Sequence, residues 1–249
     1  MLPPSGDTRR ALGTPYIVWI AALMATSLML VLAAAAQAAP FQNEMDRAPI
    51  VTDEPVNAIE EVGGRIVIGG NFSHVGRRVG SAVNFSTRTG LQRLGFPDVV
   101  GGVEVVIPDG KGGWYLGGSF TRVGGQPRRG LAHVLASNQV DPAFHPTVDP
   151  LYYSVMALGL VGNTLYLGGN FISVNGTNQP HAAAVDATTG ELKTWNPDSR
   201  STVWSIKPTS SGILVGGYFP QDAAHLIKAD PVTGANLGWS DLGRDWVYD

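Results

Sequence analysis

A double glycine followed two residues later by phenylalanine occurs four times in this chain, in RIVIGGNF (65–72), GWYLGGSF (113–120), TLYLGGNF (164–171) and GILVGGYF (212–219). The leading glycines, Gly69, Gly117, Gly168 and Gly216, are spaced by 48, 51 and 48 residues. Recurrence at this period marks a repeat architecture in which one supersecondary unit stacks on the next. Each unit divides alike. A short apolar segment comes first: VNAIEEV (56–62), VEVVIPD (103–109), SVMALGL (154–160) and TVWSIKP (202–208). A Gly, Asn or Ser turn follows, and then the double-glycine segment, so the two segments form a hairpin.

After a longer loop comes a third strand, as in HAAAVDA (181–187), and a fourth that ends at Trp195; LIKADPVTGANLGW (226–239) and AVNFSTRTGLQRL (82–94) run in parallel with it. Four short antiparallel strands in about 50 residues make one blade of a β-propeller. The predicted fold is therefore all-β, with blades over about 55–98, 99–150, 151–200 and 201–243. RDWVYD (244–249) aligns with the opening strand of a further repeat. The expectation is part of a larger ring, the alternative being a four-bladed ring closed by that strand. Composition agrees: 32 glycines, 17 prolines and 15% charged residues among 249 suit short strands joined by tight turns.

Glycine inside a strand marks a bulge or a close backbone approach. The pairs Gly69-Gly70, Gly117-Gly118, Gly168-Gly169 and Gly216-Gly217 are read as relieving crowding where strands converge on the axis. Phe72, Phe120, Phe171 and Phe219 are read as filling the gaps between neighbouring blades.

The N-terminus has a different character. Arg9 and Arg10 precede the uncharged run YIVWIAALMATSLMLVLAAAA, which ends in Ala36-Gln37-Ala38, a small-x-small cleavage pattern. Residues 1–38 are read as an export signal, or as a membrane anchor if uncleaved, since 20 apolar residues suffice to span a bilayer; 39–54 form a linker. Both readings place the remainder outside the cytoplasm, secreted, periplasmic or at the cell surface. No cysteine is present, which removes thiol catalysis, disulfides and cysteine metal sites.

YLGGSFTRVGGQPRRGLAHVLASNQVDPAFHP (115–146) closely resembles the delta-60 repeat, a β-propeller repeat of largely unassigned function found in bacterial secreted and surface proteins. The matching elements are the G-G-x-F-x-x-V-x-G run, the arginine-containing loop and the V-D-P-A-F-x-P ending. The resemblance extends over about residues 56–249, although the fourth repeat lacks the Val-x-Gly turn after Phe219. More weakly, AVDATTGELKTW and KADPVTGANLGW resemble the docking repeat of quinoprotein dehydrogenase propellers, with Trp195 and Trp239 one residue late.

No H-E-x-x-H, G-x-S-x-G, P-loop or EF-hand pattern occurs. Of the five histidines, His181 and His225 align at one blade position, with Ser81 and Leu131 in the other blades, and are read as strand-edge residues rather than metal ligands. Asp186 and Asp230 precede turns and are read as accepting hydrogen bonds from the turn amides. Three glycosylation sequons stand at Asn71, Asn84 and Asn175. A net charge of −3 gives no electrostatic footprint for nucleic acid.

Loop length is more informative. In a meander of this kind the loops between second and third strands and the blade crossovers emerge on one face; here those are the long ones. The candidate binding face comprises Arg78, Arg128, Arg129, His145, Asp149, Tyr152, Tyr153, Asn178, Asp198 and Arg200. The function expected is an exported, non-catalytic binding scaffold without cofactor or metal, meeting a protein or polysaccharide on this face; the membrane enters only through the N-terminal segment. The alternative is a propeller enzyme of quinoprotein or lyase type, for which acidic residues and arginines should converge on an axial pocket.

Overall fold

The computed structural model describes residues 52–240 apart from 76, 79 and 220–223. The expected signal or anchor, most of the linker and the final RDWVYD segment lie outside these residues. Among the described residues the protein is all-β, and no helix is long and apolar enough to cross a membrane.

Four antiparallel sheets follow one another along the chain. The first comprises β1 (Val56–Val62), β2 (Arg65–Gly70), β3 (Ala82–Ser86) and β4 (Gln92–Arg93) in that spatial order. The second has β5 (Val103–Pro108), β6 (Trp114–Gly118) and β7 (Leu131–Val134). The third has β8 (Val148–Val161), β9 (Thr164–Val174) and β10 (Ala182–Asp186). The fourth has β11 (Val203–Thr209), β12 (Gly212–Phe219), β13 (Ala224–Ala229) and β14 (Asn236–Ser240).

Where a fourth strand was expected, the second and third sheets carry single bridges, Val134 to Val140 and Val185 to Leu192. β8 begins before residue 151, the expected start of the third repeat, because Val148 and Asp149 pair with Val174 and Ser173.

Consecutive sheets pack through their first strands: β1 against β5, β5 against β8 and β8 against β11. Three buried clusters bridge them. Val67 and Ala82 join Val103, Leu116 and Phe120; Tyr115, Leu131 and Phe144 join Val155, Leu167 and Phe171; Ala157, Tyr166 and Trp195 join Val203, Val215 and Phe219. Phe120, Phe171 and Phe219 thus sit in cores shared with the preceding sheet. Phe72, also fully buried, clusters among the described residues with Val75, Val83 and Phe85 of its own repeat, against which Ile66 and Ile68 pack.

The double glycines have two separable causes. A Cβ on the first glycine would strike the first strand of the next sheet: Val103 for Gly69, Val155 Cγ1 at 2.7 Å for Gly117, Val203 Cγ1 at 2.5 Å for Gly168. A Cβ on the second would strike the backbone just before its own first strand, the carbonyls of Pro55, Gly102 and Thr202 for Gly70, Gly118 and Gly217. One glycine lets sheets approach and the other lets a bulge form.

Polar latches reinforce the stacking. Tyr115 Oη donates to the Ala187 carbonyl (2.6 Å), and Tyr166 Oη, at the same repeat position, donates to the Pro231 carbonyl (2.7 Å). Trp195 Nε1 donates to the Asp230 carbonyl of the next sheet (2.9 Å).

Candidate functional site

The first strands all carry a bulge at the same place. Val56 pairs with Gly70 and Ala58 with Gly69; Val103 with Gly118 and Val105 with Gly117; Val155 with Gly169 and Ala157 with Gly168; Val203 with Gly217 and Ser205 with Gly216. The residue left over in each ladder is Asn57, Glu104, Met156 and Trp204. An extra residue in one strand twists the ladder and re-aims its side chain. All four line one cleft of about 520 Å³ together with Ile59, Glu60 and the small or aliphatic residues beside them. In β1, β5 and β11 the bulged residue is the second of the strand, so the lining begins at the crossover end, where the long loops gather.

The wall is chemically mixed. Asn57 Nδ2 donates to Glu104 Oε2 (3.1 Å) and to the Val103 carbonyl (3.3 Å), tying the first two sheets at the cleft. Burial pushes the Glu104 carboxyl above the usual carboxylate range. Glu60 supplies a second carboxylate, while Met156, Trp204 and Ile59, the last 67% exposed, supply apolar surface. No histidine, lysine or arginine is among the described lining residues. Beside the cleft, three oxygens converge on Gly102: a Cβ there would lie 2.6 Å from Asn71 Oδ1, 2.9 Å from Ser119 Oγ and 3.3 Å from Glu104 Oε1.

The ten residues of the expected binding face divide. Arg129, Asp149 and Asn178 come together: Arg129 Nη1 donates to Asp149 Oδ1 (2.9 Å), Ser173 Oγ donates to Asp149 Oδ2 (2.7 Å), and Asn178 pairs with Ser173 in the ladder. The Ser173 hydroxyl and then Arg129 hold the Asp149 carboxyl below the usual range. His145 is exposed on the same crossover. Arg128 turns inward. Its guanidinium is buried and donates to the Pro127 and Asp141 carbonyls (2.8 and 2.9 Å) and to Gln126 Oε1 (3.2 Å), and burial pushes its pKa down. Asp198 and Arg200 pair with each other on the next crossover at 2.8 Å. Arg78 pairs through its backbone with His74, and Tyr152 and Tyr153 run within β8; their side chains lie outside the described residues.

The long loops prove to be a second tier of β-structure. Val75 pairs with Arg77, Val123 with Gln126 and Val174 with Thr177. In the latter two the central residues, Gly124-Gly125 and Asn175-Gly176, have φ of 57°, 76°, 53° and 75°, the positive pair that a type I′ turn requires. Each hairpin also pairs with the incoming crossover, as Val123 with Val99 and Val174 with Val148.

Other singled-out residues have structural partners. Asp186 Oδ1 accepts from the amides of Thr188 and Thr189, and Asp230 Oδ1 from those of Val232 and Thr233. His181 stands in the left-handed region (φ 67°) at the position held by Gly130 (φ 72°). The ladder therefore aligns Gly130, not Leu131, with the two histidines, because Gly117 pairs with Leu131 as Gly168 does with Ala182. Burial lowers the His181 pKa. Among the described residues no cluster of three potential metal ligands occurs. His133 is wedged between Asp141 (Nδ1, 2.8 Å) and Asp109 (Nε2, 3.0 Å) and stacks on Tyr115 at 4.3 Å. Of the sequons, Asn84 is fully buried.

The cleft has no common residue type along the repeats, because Asn57, Glu104, Met156 and Trp204 share a position but no chemistry. Their signal was the frame around them, Val-x-small-aliphatic in VNAI, VMAL and VWSI and Val-x-Val-Val in the second repeat; the constant valine is fully buried as Val103, Val155 and Val203 and exposed as Val56.

No family model and no curated protein matches the chain. Among solved structures it is similar to the computationally designed Ika8 protein, with a TM-score of 0.52 and 15% identity over 78% of this chain and 51% of that one. It thus spans about half the length of Ika8, and the likeness is one of fold. It also matches the designed Ika4 protein (TM-score 0.45, 14% identity, 67% of this chain and 88% of that one) and a nidogen/laminin complex (TM-score 0.35, 10% identity, 78% and 83%).

Proposed function

We propose that this chain is an exported, non-catalytic binding scaffold built as a β-propeller or a sector of one, its repeats of the delta-60 type, and that it receives its ligand or partner in the cleft between the first strands. The observation that carries this reading is the convergence of the four bulged residues, one from each sheet, on a single cleft. The packing of each sheet on the next through their first strands supports the propeller, since blades stack in sequence about an axis. A volume of about 520 Å³ lies within the range of small-molecule sites, which combine apolar walls with a few placed polar groups. The long-loop face keeps a part in the proposal as the rim through which a protein or polysaccharide would approach.

A second reading, a propeller enzyme of lyase type, draws on Glu60 and Glu104 in one cleft and on the raised pKa of Glu104, a property of proton-transfer residues. That reading expects an arginine beside the carboxylates, and the described lining supplies none.

The test uses the Met156 methyl as reporter in the full chain, with a fragment library added under NMR observation. The expected result is a shift of the Met156 resonance that Asn57→Trp, at an exposed position of the cleft wall, abolishes and that Arg129→Ala leaves in place. Binding elsewhere with Met156 unmoved would overturn the proposal.

A further inference from the structure

We infer that a second copy of this chain docks on the first, the fourth sheet of each covering the first strand of the other. A regular series of junctions is broken at both of its ends. In the second to fourth sheets the first strand turns two apolar residues toward the sheet before it, Val103 and Val106, Val155 and Leu158, Val203 and Ile206, and none is more than 6% exposed. Val56 and Ile59 hold the same ladder places in β1, opposite Gly70 and Ile68, and are 38% and 67% exposed.

The opposite face is broken in the same way. Val67 and Ala82, Tyr115 and Leu131, Tyr166 and Ala182 are buried in the clusters shared with the following sheet. Leu214 and Leu226 hold those places in the fourth sheet and stay partly exposed. The end units of a soluble repeat array carry polar outer faces; here both ends present apolar side chains. β11 does not cover β1, so the two halves of a first-strand junction stand unmatched on one molecule. Two copies are the smallest number that leaves neither half open, because each supplies what the other lacks.

The internal junctions fix the register. Between the third and fourth sheets Gly168 faces Val203 and Ile206, and Gly159 faces Pro208, where a Cβ would lie 2.9 Å from the proline ring. Gly216 and Lys207 stand in the fourth sheet where Gly168 and Gly159 stand in the third, pairing with Leu226 and Leu214 as those pair with Ala182 and Tyr166. Carried over to the junction between copies, Gly216 receives Val56 and Ile59, and Lys207 meets Glu61, which aligns with Pro208. Lys228, opposite Leu214 in the ladder, brings a second ammonium group to that place. Glu61 and Lys207 are both exposed in the single chain. Opposite charges at the rim of an apolar contact fix its register and suppress wrong partners, which favours a second copy over an unrelated protein. A head-to-tail contact of this kind closes into a ring when the rotation allows it.

Sedimentation of the full chain over a concentration series is the test. The expected mass is that of two chains, and Ile59→Asp should weaken the pairing about tenfold or more. Glu61→Lys should weaken it as well, and Lys207→Glu with Lys228→Glu in the same chain should restore it, a rescue that misfolding cannot produce. The chain has no cysteine, so Glu61→Cys mixed with Lys207→Cys should give a disulfide-linked dimer under mild oxidation that neither variant gives alone. A single-chain mass at every concentration overturns the proposal, as does a mass that grows without limit. Within a single-mass chain, a disulfide between Leu226→Cys and Val247→Cys would name residues 244–249 as the occupant instead, and one between Glu61→Cys and Lys207→Cys would name closure of the chain on itself. The mass reads the pairing alone, so ligand binding at Met156 stands or falls apart from it.

Discussion

Gly117 is where a single residue decides whether two sheets can meet. A methyl group there would sit 2.6 Å from Val105 Cγ1 and 2.7 Å from Val155 Cγ1, both attached to strands that cannot retreat without opening the core. Gly117→Ala is expected to cost about 1–3 kcal/mol, read as a lower urea midpoint. Phe171→Ala removes a fully buried ring from the cluster joining the second and third sheets and should cost about 3–5 kcal/mol in the same assay. Tyr115→Phe keeps the ring but leaves the Ala187 carbonyl without its donor, at a cost of about 1–3 kcal/mol. The glycine and phenylalanine positions were legible from the sequence because four aligned copies showed them where a strand favours neither glycine nor an unvarying ring; the latch at Tyr115 was not, since its partner carbonyl lies 72 residues away. The second role of the glycines, opposite a bulge, needed the ladder register.

At the scale of elements, the small hairpins brace the crossovers. Asn175 holds φ of 53° and ties two segments: its Oδ1 accepts from the Thr147 amide (2.9 Å) and its Nδ2 donates to the Gly190 carbonyl (2.9 Å). Asn175→Gly should relieve the backbone demand and lose only the side-chain bonds, about 1 kcal/mol. Asn175→Ala should lose both, about 2–3 kcal/mol. Hydrogen exchange at the Thr147 amide is the local readout, fastest in the alanine variant. Val-x-Gly after Phe120 and Phe171, and Val75-Gly76 after Phe72, were read as the start of a loop. The turn residues were visible, but their pairing partner, the incoming crossover, lies more than twenty residues earlier in the chain. No local pattern announces it.

Across the whole molecule, the carboxylates divide by sign. Asp109, Asp149, Asp186 and Asp230 have folded pKa values below the ordinary range. For Asp109 and Asp186 burial acts the other way and is outweighed by turn amides, with His133 adding to the effect at Asp109 and Lys193 at Asp186. Their stabilisation is complete above the unfolded value of about 4 and is lost as pH falls through the lower folded values. Urea midpoints should therefore decline below about pH 5 through these carboxylates, with a shallower decline in Asp186→Asn, after an earlier loss that begins near the ordinary histidine value of about 6.5, where the unfolded chain takes up the proton that burial denies His181. Glu104 works in reverse. Its raised pKa favours the folded state at low pH, and that contribution fades as pH rises through the folded value. Glu104→Gln should accordingly gain stability relative to wild type at pH 7 and show little difference at pH 3.

The repeat, the hairpin in each unit, the buried phenylalanines and the all-β class were determined by the sequence alone, because periodic packing demands recur at each copy and survive as shared residue types. The cleft was decided only by tertiary structure. Its four residues share a bulge rather than a side chain, and they lie about 50 residues apart along the chain. The inward turn of Arg128 was decided the same way. A guanidinium in a loop reads as exposed until the carbonyls of Pro127 and Asp141 are in place around it.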